Sequence, residues 1–303
     1  MDSISMLKSF CDTINCHAIT DEPMSRHSTF KIGGPADIFI SPNDEGQIAS
    51  LLTYFQTHEI SYCVLGKGSN ILVGDCGIRG AVLHIGHRFS GVARSGNTLK
   101  CKAGTPLAQL CYTAYREGLS GLEFAWGIPG STGGAAYMNA GAYGGEMRDV
   151  LLSCSHIDEQ GTIGSFSGQE LELGYRKSVY CGKNYCITSL KVRLKPAPQD
   201  EIKACMDELL SRRKAKQPLE FGSAGSTFKR PEGHFAGALI EQCGLKGRAV
   251  GGAMVSTKHS GFVINTGDAT CDDVMKLIDI IKEEVFRQTG VTLECEIRFF
   301  SCN

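Results

Sequence analysis

The sequence predicts an α+β protein in more than one part, on three observations. At 303 residues the chain is too long for one ordinary domain and fits roughly two. A strand–helix–strand run occupies residues 36–73. Beyond Gly80 short strands alternate with helical stretches as far as Lys195-Pro196-Ala197-Pro198, a proline-rich piece that reads as a linker.

In chain order, Ala36–Ser41 is an apolar strand ended by Pro42. Residues 43–58 place Ile48, Leu51, Leu52 and Phe55 at helical spacing, with Asn43 or Asp44 as cap. Tyr62–Leu65 is a short strand; Gly66-Lys67-Gly68-Ser69-Asn70 turns into a second apolar run, Ile71–Val73. Strands follow at Ala81–Ile85, Leu99–Ala103, Val150–Ile157 and Tyr185–Leu194. Helices are expected over Pro106–Glu117, with proline in the first turn, and from about Gly133. Beyond the linker come a charged helix at Glu201–Lys214 and a short one at Phe235–Cys243, closed by Gly244. A strand at Phe262–Asn265, a long amphipathic helix over 270–289 and a final strand at Leu293–Phe299 complete the chain.

Charge is nearly balanced, 31 Lys+Arg against 32 Asp+Glu, which argues against a nucleic-acid or anionic-membrane footprint. No apolar run reaches a membrane-spanning length, and residues 1–20 lack a signal-peptide core. A cytoplasmic protein with no membrane insertion is expected. The 14 cysteines are scattered without a Cys-x-x-Cys pair, so no metal site is expected and the thiols read as reduced apolar fillers.

Four stretches carry the chemistry. Residues 66–70 are not a Walker loop, because Lys67 lies between two glycines; they read as a phosphate nest or as a tight strand–strand turn. Gly127-Ile128-Pro129-Gly130-Ser131-Thr132-Gly133-Gly134-Ala135 feeds a helix N-terminus, where unpaired N–H groups favour an anion, and its glycines suggest backbone pressed against a nucleotide-type cofactor. Gly222-Ser223-Ala224-Gly225-Ser226 joins small residues and hydroxyls to the cations Lys229 and Arg230. Arg176, after Tyr175, offers a planar fork to a carboxylate, and Glu294 and Glu296 lie two apart on one strand face. A surface arginine and a solvated strand face are the plainer readings of the last two.

Together these stretches, with His27–Asp37, Gly121–Gly134, Gly251–Asn265 and Leu293–Phe299, resemble the UDP-N-acetylenolpyruvoylglucosamine reductases, flavin enzymes of peptidoglycan precursor synthesis. The match runs in family order over about residues 20–300 and looks like the shorter subclass, without an extra tyrosine loop. The resemblance implies a vanillyl-alcohol-oxidase-type (PCMH-like) two-part FAD-binding domain plus a C-terminal α+β substrate-binding domain. The expected parts are 1–78 and 79–198 for FAD and 199–303 for substrate. It implies non-covalent FAD, its pyrophosphate held by Gly66, Lys67, Gly68, Ser69 and Asn70 with Gly127, Ile128, Pro129, Gly130, Ser131, Gly133, Gly134 and Ala135. NADPH would be co-substrate, the small molecule UDP-N-acetylglucosamine enolpyruvate the partner, and a monomer the state.

By the same resemblance Ser226 looks like the acid that protonates C2 after hydride reaches C3, and Arg176 and Glu296 like the groups that stabilise the intermediate. Tyr175, Lys216 and Arg230 look like substrate-binding residues. Two departures bear on loop geometry: Phe221-Gly222 precedes Ser223 where other residues are common, and Cys295 stands where proline is common. The alternatives are a related FAD oxidase with another substrate and a non-catalytic nucleotide-binding protein.

Overall fold

A computed structural model describes residues 2–301, which divide into two compact units. The first comprises residues 1–20, 38–67 and 80–213, and the second 21–37, 68–79 and 214–303.

The first unit begins with helix α1 (Ser3–Thr13), not foreseen from the sequence, where Asp2 caps the N–H of Ser5 at 2.7 Å. A four-stranded sheet has the order His17–Pro23, Pro35–Ser41, Ile78–His84, Tyr62–Leu65. Helix α2 (Glu45–Thr57) buries the expected Ile48, Leu51, Leu52 and Phe55, and Asp44 is its cap, accepting from Gln47 N–H at 2.8 Å. It connects Pro35–Ser41 to Tyr62–Leu65, and the latter pairs in parallel with 81–84. A five-stranded antiparallel sheet follows, in the order Ile163–Ser167, Leu151–Ile157, Cys186–Arg193, Thr98–Lys102, Val92–Ser95. Its edge strands were not foreseen, because each is only four or five residues long and has too few apolar positions to show an alternation. Helix α3 (Leu107–Arg116) buries Leu107, Leu110, Cys111 and Ala114. Helix α4 (Thr132–Tyr137) is one short, nearly buried segment, and helix α5 (Gln199–Lys216) is mostly solvated. One continuous apolar core joins both sheets to these helices.

The second unit packs helices α6 (Ala236–Gln242) and α7 (Cys271–Thr289) with a three-stranded antiparallel sheet, Ala249–Val250, Ala253–Val255 and Val263–Asn265. A capping box between Thr270 and Asp273 starts α7, and the Asp75 carboxylate accepts from Cys271 N–H at 2.8 Å and Asp272 N–H at 3.1 Å. Carboxylates suit that end of a helix because its amides lack intrahelical acceptors. The α7 stripe Val274, Leu277, Ile278, Ile281 and Val285 is buried with Phe30, Ile32 and Leu72 in the core.

Two readings of the sequence need correction. Ile71–Val73 does not return beside Tyr62–Leu65; it pairs in parallel with Arg298–Phe300, so the glycine run 66–70 joins two sheets and is not a hairpin turn. The expected strand at Leu293–Phe299 reduces to one bridge, Cys295 with Phe228, before the strand Arg298–Phe300.

Among the described residues twelve cysteines are free and Cys76 is disulfide-bonded, which corrects the expectation that all stay reduced. Burial pushes the Cys63, Cys101, Cys111 and Cys154 thiols up to about 12, as apolar filling requires. No helix among the described residues is long and apolar enough to cross a membrane.

Candidate functional site

In the first unit the two glycine stretches meet. A Cβ on Gly66 would lie 2.3 Å from Ser131 Oγ, so only glycine fits there without moving Ser131. Ser131 is buried and caps α4, accepting from Gly134 N–H at 3.3 Å. The α4 N-terminus is not the open anion site its sequence suggests. Thr132 N–H donates to Thr105 O and Gly133 N–H to Ala103 O, each at 2.9 Å. The backbone after Thr98–Lys102 therefore consumes the first amides. Gly133 is glycine because a Cβ would lie 2.8 Å from that of Ala103.

The unused donors lie just upstream. Among the described residues the amides of Gly127, Gly130 and Ser131, and those of Gly66 and Lys67, donate to no protein acceptor. The Ile128 amide is taken by Ala125 O at 3.0 Å, Pro129 has none, and Ala135 donates to Ser131 O inside the helix. The buried indole Nε1 of Trp126, next to Gly127, also lacks a partner among the described residues. Close glycine backbone, unpaired amides and an orphaned indole N–H fit a flat nucleotide cofactor with an anionic pyrophosphate. Buried Arg213 of α5 packs behind this loop, its Cδ 3.3 Å from where a Gly127 Cβ would be, and burial lowers its pKa.

Arg176 occupies a two-residue turn closed by Gly174 N–H to Lys177 O at 3.0 Å and the reciprocal bond at 3.2 Å. Its φ is +54°, the left-handed region in which glycine is the ordinary occupant. A half-buried arginine held there carries a backbone strain that glycine would not. The turn is fastened from below by Asn139, wholly buried, whose Nδ2 donates to Gly174 O at 2.9 Å while its Oδ1 accepts from Arg148 N–H at 2.8 Å. The Arg176 guanidinium lies 5.2 Å from the centre of the exposed Tyr175 ring and donates to Gly141 O at 3.4 Å.

The second unit holds the other candidates. Gly225 has φ +80°, and no protein atom lies within 4 Å of where its Cβ would be. Ser226 follows, half-buried, and among the described residues its hydroxyl has no protein partner. The next residue, Thr227, takes Glu296 N–H on its carbonyl at 2.9 Å, so the segments bearing Ser226 and Glu296 are joined. Glu296 is half-buried. Glu294 is 71% exposed in its side chain and pairs with Lys229 at 3.0 Å, a solvated ion pair of small energetic consequence. Of the two carboxylates, Glu296 is the less exposed.

Gly68 has φ +63° and would meet His27 O at 2.0 Å with any Cβ; Ser69 follows, and the Asn70 side-chain amide donates to Glu296 O at 3.2 Å. Lys216 is the exposed last residue of α5. The Arg230 guanidinium stacks 3.9 Å from the centre of the Phe235 ring. Thus the Thr227 and Glu296 backbones and the Asn70 side chain form one hydrogen-bonded group, to which Ser226 is joined through the chain. Sequence reasoning missed Asn139 and Thr227, because buried polar residues that fasten loops carry no local motif.

The loops of the first unit fit a nucleotide cofactor, and likeness to known families makes the class a flavin-dependent oxidoreductase. Residues 36–167 match the family model "FAD binding domain", and 217–300 match "UDP-N-acetylenolpyruvoylglucosamine reductase, C-terminal domain". The UDP-N-acetylenolpyruvoylglucosamine reductase of Clostridioides difficile (strain 630) is 46% identical over 278 residues, 92% of this chain and 91% of its own length. That of Alkaliphilus oremlandii (strain OhILAs) is 45% identical over 299 residues, 98% of each chain. The crystal structure of the Thermus caldophilus reductase superposes with a TM-score of 0.80 at 34% identity, covering 94% of this chain and 98% of that one. A berberine bridge enzyme variant, a reticuline dehydrogenase, matches at TM-score 0.50 and 16% identity over 72% of this chain and 51% of its own, a likeness of fold alone. The chain belongs to the UDP-N-acetylenolpyruvoylglucosamine reductase family and is an FAD-binding enzyme of that kind.

Proposed function

We propose that the protein reduces the enolpyruvyl group of UDP-N-acetylglucosamine enolpyruvate to give UDP-N-acetylmuramate, with NADPH as the source of hydride. FAD, when bound, would supply the hydride-transfer chemistry that links NADPH to C3 of the enolpyruvyl group. The chain's own residues do the rest. The amides of Gly66, Lys67, Gly127, Gly130 and Ser131 are the donors for the pyrophosphate; Gly68, Ser69 and Asn70 continue the first loop, and Ile128, Pro129, Gly133, Gly134 and Ala135 shape the second.

Ser226 delivers the proton to C2. A hydroxyl is a weak acid, so it serves only opposite a strongly basic carbon, which the addition of hydride at C3 creates. The observation that carries this reading is the Ser226 hydroxyl itself: half-buried, without a protein partner among the described residues, and following a glycine beside which no atom lies within 4 Å of a Cβ position. Arg176 takes the substrate carboxylate in its planar fork and balances charge that develops on its oxygens. Glu296 holds a proton or hydrogen bond to the same intermediate. Tyr175, Lys216 and Arg230 bind the remainder, the two cations meeting the diphosphate. The parts 1–78, 79–198 and 199–303 serve FAD, FAD and substrate in turn, in a monomeric cytoplasmic enzyme.

The test is anaerobic. The flavin of the purified protein is reduced with NADPH, UDP-N-acetylglucosamine enolpyruvate is added, and visible absorbance is followed. Prompt return of the oxidised spectrum supports both half-reactions. Bleaching without return sinks the substrate, and rapid reoxidation when oxygen is then admitted favours an oxidase. A protein that neither carries nor regains FAD overturns the reading entirely.

A further inference from the structure

We propose that His259 is a positioning residue for the peptide group between Ser226 and Thr227, and that it works as the neutral tautomer with its proton on Nε2. The inference rests on the reading of Ser226 as proton donor. Its basis is a run of hydrogen bonds inside the second unit. Gly261 N–H donates to His259 Nδ1 at 3.1 Å, and Gly261 O accepts from Thr227 N–H at 2.9 Å. That last N–H belongs to the peptide that Ser226 begins, so the bond sets how the Ser226 backbone, and with it the hydroxyl, is turned. The same short segment donates Val263 N–H to Thr227 Oγ1 at 3.0 Å, and Thr227 O receives Glu296 N–H at 2.9 Å. One imidazole nitrogen therefore stands at the head of a chain that reaches both candidate groups.

The ring is held tightly enough for this. Phe262 meets it edge-on at 4.9 Å between centroids, and a Cβ on Gly237 or Gly261 would come within 3.3 or 3.0 Å of its Cε1. Glycine inside α6 leaves room for the Gly261 amide nitrogen, 3.1 Å from where its Cβ would be, and for the imidazole beside it. A ring nitrogen that accepts a hydrogen bond carries no proton, so in the neutral ring the proton is on Nε2. Glu241, Lys216 and Lys246 face the ring, and Lys258 precedes it in the chain. Burial lowers its pKa from 6.5, helped by Lys216 and Lys246 and opposed by Glu241 and by a backbone hydrogen bond. Protonation would set an Nδ1–H against the Gly261 N–H, and the bond that orients the Gly261 amide would be lost.

Two variants separate positioning from mere filling of space. His259→Asn keeps an oxygen acceptor where Nδ1 stands; His259→Ala removes it. Both are loaded with FAD and assayed anaerobically in the two half-reactions. We expect His259→Ala to slow reoxidation by the enolpyruvyl substrate about 10- to 100-fold, the cost of a small misplacement, with NADPH reduction unchanged. His259→Asn should restore most of that rate. The wild-type reoxidation rate should fall as pH drops below 6.5, and His259→Asn should flatten that limb. Ring ¹⁵N spectra of the wild type should show Nδ1 bare and Nε2 protonated, a readout independent of activity and of whether His259→Ala folds. Normal reoxidation in His259→Ala, equal slowness in His259→Asn, or a protonated Nδ1 would each overturn the proposal. A Ser226→Ala protein that reoxidises normally removes the proton-donor reading, and leaves the ¹⁵N result to judge the ring on its own.

Discussion

Arg176 pays a conformational cost that glycine at its position would not, and this separates its structural from its chemical role. Replacing it with glycine removes a left-handed penalty of about 1–2 kcal/mol. It also loosens the unfolded chain, at about 0.4–1 kcal/mol. Losing the contact with Tyr175, 5.2 Å from the guanidinium, costs about 0.5–1 kcal/mol more at an exposed ring. The terms nearly cancel, so Arg176→Gly should keep its stability within about 1 kcal/mol. For units of this size that is a melting shift under about 4 °C. Chemistry should respond quite differently. If Arg176 meets developing charge, its loss slows reoxidation of reduced flavin by the enolpyruvyl substrate about 10²–10³-fold, while NADPH reduction continues. Arg176→Lys keeps the charge and the strained backbone but not the fork, and should also be strongly impaired. Calorimetry and anaerobic stopped-flow on the same preparations decide the matter. A large drop in melting temperature would make Arg176 a structural residue, and undiminished reoxidation would remove it from the chemistry.

Ser226→Ala should retain FAD and NADPH oxidation yet fail to reduce the enolpyruvyl substrate; near-normal turnover in a steady-state assay would sink the assignment. Gly66→Ala forces Ser131 from its position 2.3 Å away, uncaps α4 at a cost of about 1 kcal/mol, and should lower FAD retention on gel filtration, whereas unchanged flavin content would show the contact to be unimportant. Asn139→Ala strands the amide of Arg148 and leaves the Gly174 carbonyl with the Lys177 amide alone, and should destabilise the protein by about 1–3 kcal/mol in urea titration. His156 lies buried, stacked on Phe166 at 4.6 Å and Tyr185 at 4.9 Å, with burial lowering its pKa from 6.5. The unfolded chain then binds the proton first, so this contribution is present above pH 6.5 and is lost as pH falls below it. His156→Phe should shrink the acid-side drop in the urea midpoint; an unchanged drop would place its origin elsewhere.

The legible parts of the fold were those set by neighbours in sequence. The stripe of α2 and its cap Asp44, and the stripe of α7, follow from spacing alone. What escaped was pairing at long range. The 66–70 loop looked like a strand–strand turn because nothing nearby reveals that Ile71–Val73 takes Arg298–Phe300 as its partner. Likewise the first amides of α4 looked free because the carbonyls that take them, Ala103 and Thr105, arrive from elsewhere in the chain. In the candidate site Ser226, Arg176 and Glu296 were visible through resemblance as chemical groups. Their supports were not, since Asn139, Thr227 and His259 act through backbone atoms whose positions only the fold defines.

The parallel pairing of Ile71–Val73 with Arg298–Phe300 bears on how the protein is made. On the ribosome the early segments 21–37 and 68–79 emerge long before the residues they belong with at 214–303. They must wait, with Phe30, Ile32 and Leu72 uncovered, while the intervening residues 80–213 are synthesised and collapse on their own core. Closing so long a loop is slow and leaves apolar surface open to other chains meanwhile. A fragment beginning at residue 214 would lack three core side chains and the partner of its last strand. The second unit is therefore finished last and cannot be lifted out of the chain as a portable module.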